Sequence, residues 1–326
     1  MNQKLPDGCQ MRPVTMDDLP AAAALFNAEA RWISGQDMAT EEEIRSEWES
    51  PYLNLLTDTM AVFLPDGSPI AYGEFWDQSE PHVRFFGYTS VHPSYQEAGL
   101  DEQIMDWMVN RARRNIEKAP EGARVTLQRS VDSRYARAKQ TLAGCGFEQV
   151  RAYYRMQIDL DTPPQKPVVP EGIVIRSIQS EEEQKAALYA AFESFKDHFG
   201  HTDEPFEDYY QRRMYFAKND THYDPSLWFI ALDGAEVAGA SLCAPFITED
   251  PGMGWVGTLG VRRPWRKRGL GLALLLHSFG EFYRRGKPRA GLGVDAYSLT
   301  GATRLYERAG MRVTRQFDLY EIELRP

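Results

Sequence analysis

The sequence predicts a mixed α/β fold, helices set into a mostly antiparallel mixed sheet in the α+β manner, and it predicts that fold twice in tandem. One observation is a repeat. Gln10-Met11-Arg12 and Ile173-Val174-Ile175-Arg176 each end a short apolar segment on Arg, and Gly146-Phe147 and Gly310-Met311 each close a helix-like segment, both pairs 164 residues apart. The closing segments 156–160 and 320–324 keep that offset and alternate apolar with polar residues, as a half-buried strand does. Val91-His92-Pro93 and Gly99-Leu100 fall on Val261-Arg262-Arg263 and Gly269-Leu270 at an offset of 170, so six residues are inserted between the two registers. The other observation is a break: 161–170 carries Pro163, Pro164, Pro167 and Pro170, which prevent regular backbone pairing and favour an extended connector. The expected domains are 1–161 and 172–326, joined by a linker at 162–171, in keeping with a length of 326 residues.

The second copy shows the element order most clearly. A strand is expected at 173–178, then helical material from Glu181 through Phe199 that continues loosely to Phe216. Leu227 to Leu232 reads as a buried strand, Asp233-Gly234 as a hairpin turn, and Val237 to Pro245 as the returning strand. Trp255 to Val261 is the next strand and feeds a basic loop and a helix over 269–285. A strand at 291–296, a helix at 301–309 and closing strands over 313–324 complete the copy.

Composition narrows the function. A net charge of −10 lacks the dominant basic face that a nucleic-acid binder needs. Cys9, Cys145 and Cys243 are three widely spaced cysteines without CxxC or Cys/His spacing, which gives neither a disulfide framework nor a metal site. The first residues have no apolar targeting region and no stretch approaches the ~18 apolar residues that span a bilayer, so a cytoplasmic protein with no membrane partner is expected.

The segment 259–271 is the most specific feature: Leu259, Gly260 and Val261 end a strand, Arg262, Arg263, Arg266, Lys267 and Arg268 supply positive charge, and Gly269, Leu270 and Gly271 open an amphipathic helix. Glycines let the backbone approach a ligand, and a helix N-terminus attracts an anion through unpaired N–H groups and the macrodipole. Such a design suits a pyrophosphate. The GxxxxGK[ST] and GxGxxG loops of other nucleotide binders are both absent.

Arg266, Gly269 and Gly271 resemble the Q/R-x-x-G-x-G/A signature of the GNAT superfamily, and Leu305-Tyr306-Glu307-Arg308-Ala309-Gly310-Met311 resembles that superfamily's L-Y-E-x-x-G-[FM] ending, at the usual distance and in the usual order. The resemblance covers 172–326 and implies an acyl-CoA-dependent N-acyltransferase with acetyl-CoA as cosubstrate and no metal. It implies that the loop 266–271 binds the coenzyme A pyrophosphate, that Leu259-Gly260-Val261 pairs with the pantetheine arm, and that Tyr306 gives a proton to the departing thiolate. Two positions depart from the pattern. Ser298 stands where many members have Asn that helps hold the pantetheine, and Trp255 stands where the strand often carries a Glu base. Asp295, Glu249 and a water chain are alternative bases, and His198 lies in a polar and aromatic cluster where the acceptor pocket is commonly lined.

The first copy reads as a degraded site. It keeps Gln96 and Gly99 but places Glu97 and Asp101 where an anion would bind, and Leu142 matches Tyr306. The expected arrangement, a degenerate first half and an intact second, is similar to the architecture of the mycothiol synthase family, although Trp255 argues against mycothiol synthesis itself. The expected function is transfer of an acetyl group to a primary amine of a small molecule. The alternatives are a non-catalytic coenzyme A sensor and a peptide or protein N-acetyltransferase.

Overall fold

A computed structural model of the chain describes residues 5–298 and 301–326. The first repeat runs β1 (Gln10–Arg12), α1 (Leu19–Ser34), α2 (Glu41–Trp48), α3 (Leu55–Asp58), β2 (Thr59–Phe63), β3 (Pro69–Trp76), β4 (Arg84–Val91), α4 (Leu100–Arg113), β5 (Val125–Asp132), α5 (Ala136–Gly144) and β6 (Glu148–Asp159). The second runs β7 (Ile173–Ser177), α6 (Glu181–Ser194), α7 (Phe206–Asn219), β8 (Trp228–Asp233), β9 (Glu236–Ala244), β10 (Met253–Val261), α8 (Leu270–Arg284), β11 (Arg289–Asp295), α9 (Ala302–Arg308) and β12 (Arg312–Arg325). The mixed α/β class expected from the sequence is the class observed. Among the described residues no helix is long and apolar enough to cross a membrane.

The chain divides into two compact units, residues up to Arg151 with Phe317–Pro326, and Ala152–Gln316. This division differs from the one expected at the proline-rich stretch, because each repeat gives its closing strand to the other repeat's sheet. In the first unit β12 pairs antiparallel with β5, Leu319 opposite Ser130 and Ile322 opposite Leu127. In the second unit β6 pairs antiparallel with β11, Met156 opposite Leu292. Met156 and Leu160 are buried in the second unit's core, and Tyr320 in the first unit's. Both strands carry the same apolar alternation, so either sheet edge can bury them.

In the second unit the sheet order is β6-β11-β10-β9-β8-β7. β7, β8, β9 and β10 are joined antiparallel, β10 and β11 run parallel, and β11 with β6 is antiparallel. α8 buries Leu274, Leu275, Phe279 and Phe282 against one sheet face together with Val256, Leu292 and Met156; each such side chain contributes roughly 1.5–3 kcal/mol by leaving water. Gly254 permits the close packing, since a Cβ there would lie 2.4 Å from the Phe282 ring. α6 and α7 cover part of the opposite face, and α6 approaches β10 at Gly260, where a Cβ would lie 2.9 Å from the Ser194 Cβ.

The helical stretch expected to run on from Glu181 is two helices. Ser180 caps α6 by accepting from the Glu183 amide at 3.2 Å. The chain then turns through Gly200 at φ +72° and Pro205 before α7 begins, conformations that an uninterrupted helix does not accommodate. The closing strands expected over 313–324 form the single strand β12.

Candidate active site

The site begins with a failure of pairing. Parallel pairing of β10 with β11 extends from Met253 opposite Arg289 to Val256 opposite Leu292 and stops. A bulge between Val256 and Thr258 then shifts the register of β10 on β9, and such a bulge bends its strand. From Thr258 to Val261 β10 keeps its partners on β9, so the two strands part and the β10 edge faces a cleft of about 880 Å³. Residues 256–261 and 292–295 form its two sides, and Tyr153, His198, Ser298 and Tyr306 also line it. Gly293 lies in the middle of β11, is exposed, and has nothing within 4 Å of where a Cβ would point. The cleft therefore has an open floor at that point.

At one end of the cleft the loop after β10 turns its backbone outward. Lys267 has φ +62° and Gly269 has φ +82°. A left-handed lysine is uncommon, and strain of this kind gathers at functional sites. Gly269 is the N-cap of α8, no side chain caps the helix there, and the first intrahelical bond is from the Ala273 amide to the Gly269 carbonyl at 3.1 Å. Lys267, Gly269, Leu270 and Gly271 line the cleft. Together they offer unpaired amides, a helix dipole and one ammonium to an anion.

Arg266 lines the cleft too, but its guanidinium is engaged. Nε donates to the Val261 carbonyl at 3.0 Å, Nη1 to Asp197 at 2.6 Å and Nη2 to the Ser194 carbonyl at 2.9 Å. Asp197 also pairs with Arg263, and the two guanidiniums hold its carboxyl well below the usual carboxylate range. In the first copy Gln96 donates from Nε2 to the Val91 carbonyl at 2.7 Å. The two side chains occupy equivalent positions and make the same bond, so this position ties the loop to the strand end in both copies. Arg268 is exposed and stands outside the cleft lining.

Tyr306 projects from α9, is buried, and burial pushes its phenol up to about 12. His198 is half-buried, and desolvation, with Arg266 nearby, lowers its pKa despite the opposing charge of Asp295. Asp295 accepts from the Tyr297 amide at 2.8 Å. Glu249 lies outside the cleft lining, where it pairs with Arg155 at 2.9 Å and Arg315 at 3.3 Å. The Trp255 side chain packs over Gly291, where a Cβ would lie 2.9 Å from its ring. Tyr153 could not be assigned to this site from sequence, because it lies in the strand that the first repeat contributes; only the partner of that strand in the folded chain reveals it.

The first unit shows what a closed version looks like. β4 and β5 pair from Arg84 opposite Thr126 to Phe86 opposite Gln128 and then part. Arg129, the counterpart of Gly293 at the 164-residue offset, is buried and donates across the gap to the Thr89 carbonyl at 3.1 Å. Buried Glu29 accepts from the Val91 amide at 3.0 Å and from the Tyr135 hydroxyl at 2.9 Å. The Tyr135 hydroxyl also lies 2.7 Å from Gln96 Oε1. The strand-end amide is thus satisfied internally, and Asp101 is buried in the first turn of α4.

A model of the acetyltransferase (GNAT) family matches residues 187–311. The chain is 27% identical over 252 residues to the mycothiol acetyltransferase of Thermobispora bispora, covering 76% of this chain and 79% of that one. It is 25% identical over 303 residues to that of Streptomyces bingchenggensis, covering 91% and 89%. A tandem GNAT protein from the clavulanic acid biosynthesis pathway shares the fold at 16% identity, with a TM-score of 0.71 over 98% of this chain and 99% of that one. The GCN5-related N-acetyltransferase from Sphaerobacter thermophilus has a TM-score of 0.80 and 34% identity over 99% of this chain and 98% of its own. With that identity across the full length, and a cleft built at the matched segment, the chain belongs to the GCN5-related N-acetyltransferase (GNAT) family and is an N-acetyltransferase.

Proposed function

We propose that the second unit transfers the acetyl group of acetyl-CoA to a primary amine of a small molecule by direct attack, and that the first unit is catalytically silent. One observation carries this: the β10–β11 split is open at Gly293 in the second unit, whereas Arg129 bridges the equivalent gap in the first. The curated relatives are named mycothiol acetyltransferases, which supports a small-molecule acceptor. In this reading the amides of Gly269, Leu270 and Gly271 with Lys267 hold the pyrophosphate, Arg268 adds long-range attraction, and Ser298 offers a hydroxyl to the pantetheine. Leu259, Gly260 and Val261 present the β10 edge to the pantetheine arm, and Arg266 keeps loop and strand in register.

Acetyl-CoA supplies a thioester carbonyl whose carbon–sulfur bond breaks as the carbon–nitrogen bond forms; the amine loses one proton to a base, and the sulfur leaves as a thiolate that takes its proton from water. Amides on the β10 edge stabilise the carbonyl oxygen as it gains charge, an effect worth roughly 10²–10³ in rate per donor. Tyr306 faces the sulfur side. Burial pushes its phenol up to about 12, so the O–H keeps its proton through neutral pH. The phenol therefore acts as a hydrogen-bond donor to the developing negative charge, worth about 1.5–3 kcal/mol.

Calorimetric titration of acetyl-CoA is expected to show one binding event per chain, and amine addition to release free thiol. Tyr306→Phe is expected to lower kcat by about 10–10²-fold, with the calorimetric affinity for acetyl-CoA intact. Two binding events would reinstate the first unit, and absence of binding would end the enzyme reading.

His198 is assigned the amine's proton. Burial favours its neutral form and lowers its pKa, so the base is already deprotonated near pH 7. At saturating amine, kcat is expected to be flat through neutral pH and to fall only below the ordinary imidazole value of about 6.5. His198→Gln is expected to remove that acid limb and cost about 10²-fold in kcat; a limb that persists in the variant would return the role to Asp295 or water.

A further inference from the structure

The face of β10 and β11 turned toward α6 and α7 holds an arrangement that the roles proposed for the loop 266–271 and for Tyr306 do not account for. Val256, Leu292, Val294 and Met156 point into the core beneath α8 and α9, so alternation places Trp255, Gly257, Gly291, Gly293, Tyr153 and Arg155 on the other face. Gly257 and Gly293 are both exposed and line the cleft from opposite sides. They form a bare floor beside the place where the strands part. Two guanidiniums are carried by residues that neighbour it while standing outside the cleft lining itself. Across the β10 side, Arg213 from α7 donates to the Thr258 hydroxyl at 3.4 Å. Across the β11 side, Arg155 is the direct strand partner of Gly293; it lies 5.4 Å from the Trp255 ring centroid and shares Glu249 with Arg315.

We propose that this floor is the acceptor subsite, and that the acceptor is amino-acid-like, an amine with a carboxylate close by, the carboxylate bound by Arg213 and Arg155. The inference rests on the proposed acetyl transfer in this cleft and names its substrate class. Three features support it. Planar guanidiniums match a carboxylate with paired donors, which an ammonium group cannot do. Arg155 is held by both Glu249 and the Trp255 ring, so little freedom is lost when it accepts a ligand. Glycine at both floor positions leaves room for the carbon between amine and carboxylate, while Asp295 and His198 border the same cleft and suit the amine end. The overall charge of −10 favours a cationic acceptor weakly; near the floor the charges of Arg213, Arg155 and Arg315 stand against that of Glu249, and distant charges are screened.

The test uses the full chain and matched acceptors: serine, glutamine and phenylalanine, each against its own carboxamide, with thiol release measured and rates corrected to the free amine. For at least one pair the carboxylate member is expected to be favoured by about tenfold or more in kcat/KM, and Arg213→Gln is expected to bring that ratio toward unity while Arg213→Lys recovers part of it. Arg213 is exposed, so its variants test recognition without disturbing the core; Arg155→Gln, checked for folding by circular dichroism, supplies the second wall. Equal rates within every pair, or a preference that survives Arg213→Gln, overturns the inference while leaving acetyl transfer intact. Absence of turnover with every member, in a sample that binds acetyl-CoA and acetylates another primary amine, overturns the inference and leaves acetyl transfer standing.

Discussion

Gly293→Arg is expected to leave the chain folded and to lower kcat/KM by more than about 10³-fold, since under the proposed acetyl transfer it fills the β10–β11 split where amine and thioester meet and removes positioning and oxyanion stabilisation together. The substitution copies what the first unit already contains, because Arg129 occupies the equivalent strand position and bridges to the Thr89 carbonyl. Folding should survive for three reasons. Gly293 is exposed, a Cβ there meets nothing within 4 Å, and its φ is not among the left-handed ones. Gly291, two residues earlier, has no such tolerance, because a Cβ would come within 2.4 Å of the Met253 sulfur. Gly293→Ala is the graded control and should cost about tenfold, a small misplacement in place of a plug. Circular dichroism and a thermal melt establish the fold, and thiol release establishes the loss. Native turnover in Gly293→Arg would put the chemistry outside the β10–β11 split.

The contrast between Gly293 and Arg129 also shows what the sequence made legible. The loop at 266–271 and the helix after it could be read directly, because a helix start that binds an anion needs glycine at left-handed positions and lacks an ordinary side-chain cap. The departures of the first copy from the loop pattern were legible in Glu97, Asp101 and Leu142, yet the bonds that close its strand gap were not: Arg129 and Glu29 act through bonds to Thr89 and Val91, residues far away in the chain. The role of Arg266 was hidden for the same reason. A guanidinium in a basic loop reads as an anion ligand, and only the positions of Ser194, Asp197 and Val261 show it to be a tie. The exchange of closing strands left no local trace, since the alternation in β6 specifies a buried face without specifying a partner. Tyr153 and Arg155 enter the second unit by that exchange, so the side of the cleft next to β6 was the least readable part of the molecule.

Gly269→Val should be the most damaging change to cofactor binding that leaves the catalytic side chains in place. Gly269 sits at φ +82°, ψ −1° as the N-cap of α8, and a side chain added there would meet nothing within 4 Å. Crowding therefore plays no part, and any effect must come from the backbone. A left-handed conformation costs an ordinary residue about 1–2 kcal/mol, more for a β-branched one. If valine relaxes to an ordinary φ, the amides at Gly269, Leu270 and Gly271 turn away from the pyrophosphate, and each hydrogen bond lost to a charged group costs about 1.5–3 kcal/mol. The expected result is a rise in the Kd for acetyl-CoA of about 30- to 10³-fold, equivalent to roughly 2–4 kcal/mol. Asparagine tolerates the left-handed region, so Gly269→Asn should restore most of the affinity although its side chain is larger than hydrogen and polar. That ordering, glycine then asparagine then valine, separates a conformational requirement from a requirement for empty space, in which asparagine and valine would fail alike. Equal affinity in all three proteins would mean that the amides of α8 do not hold the anion, and the assignment would pass to Lys267 and Arg268 as point charges, whose contribution salt would screen.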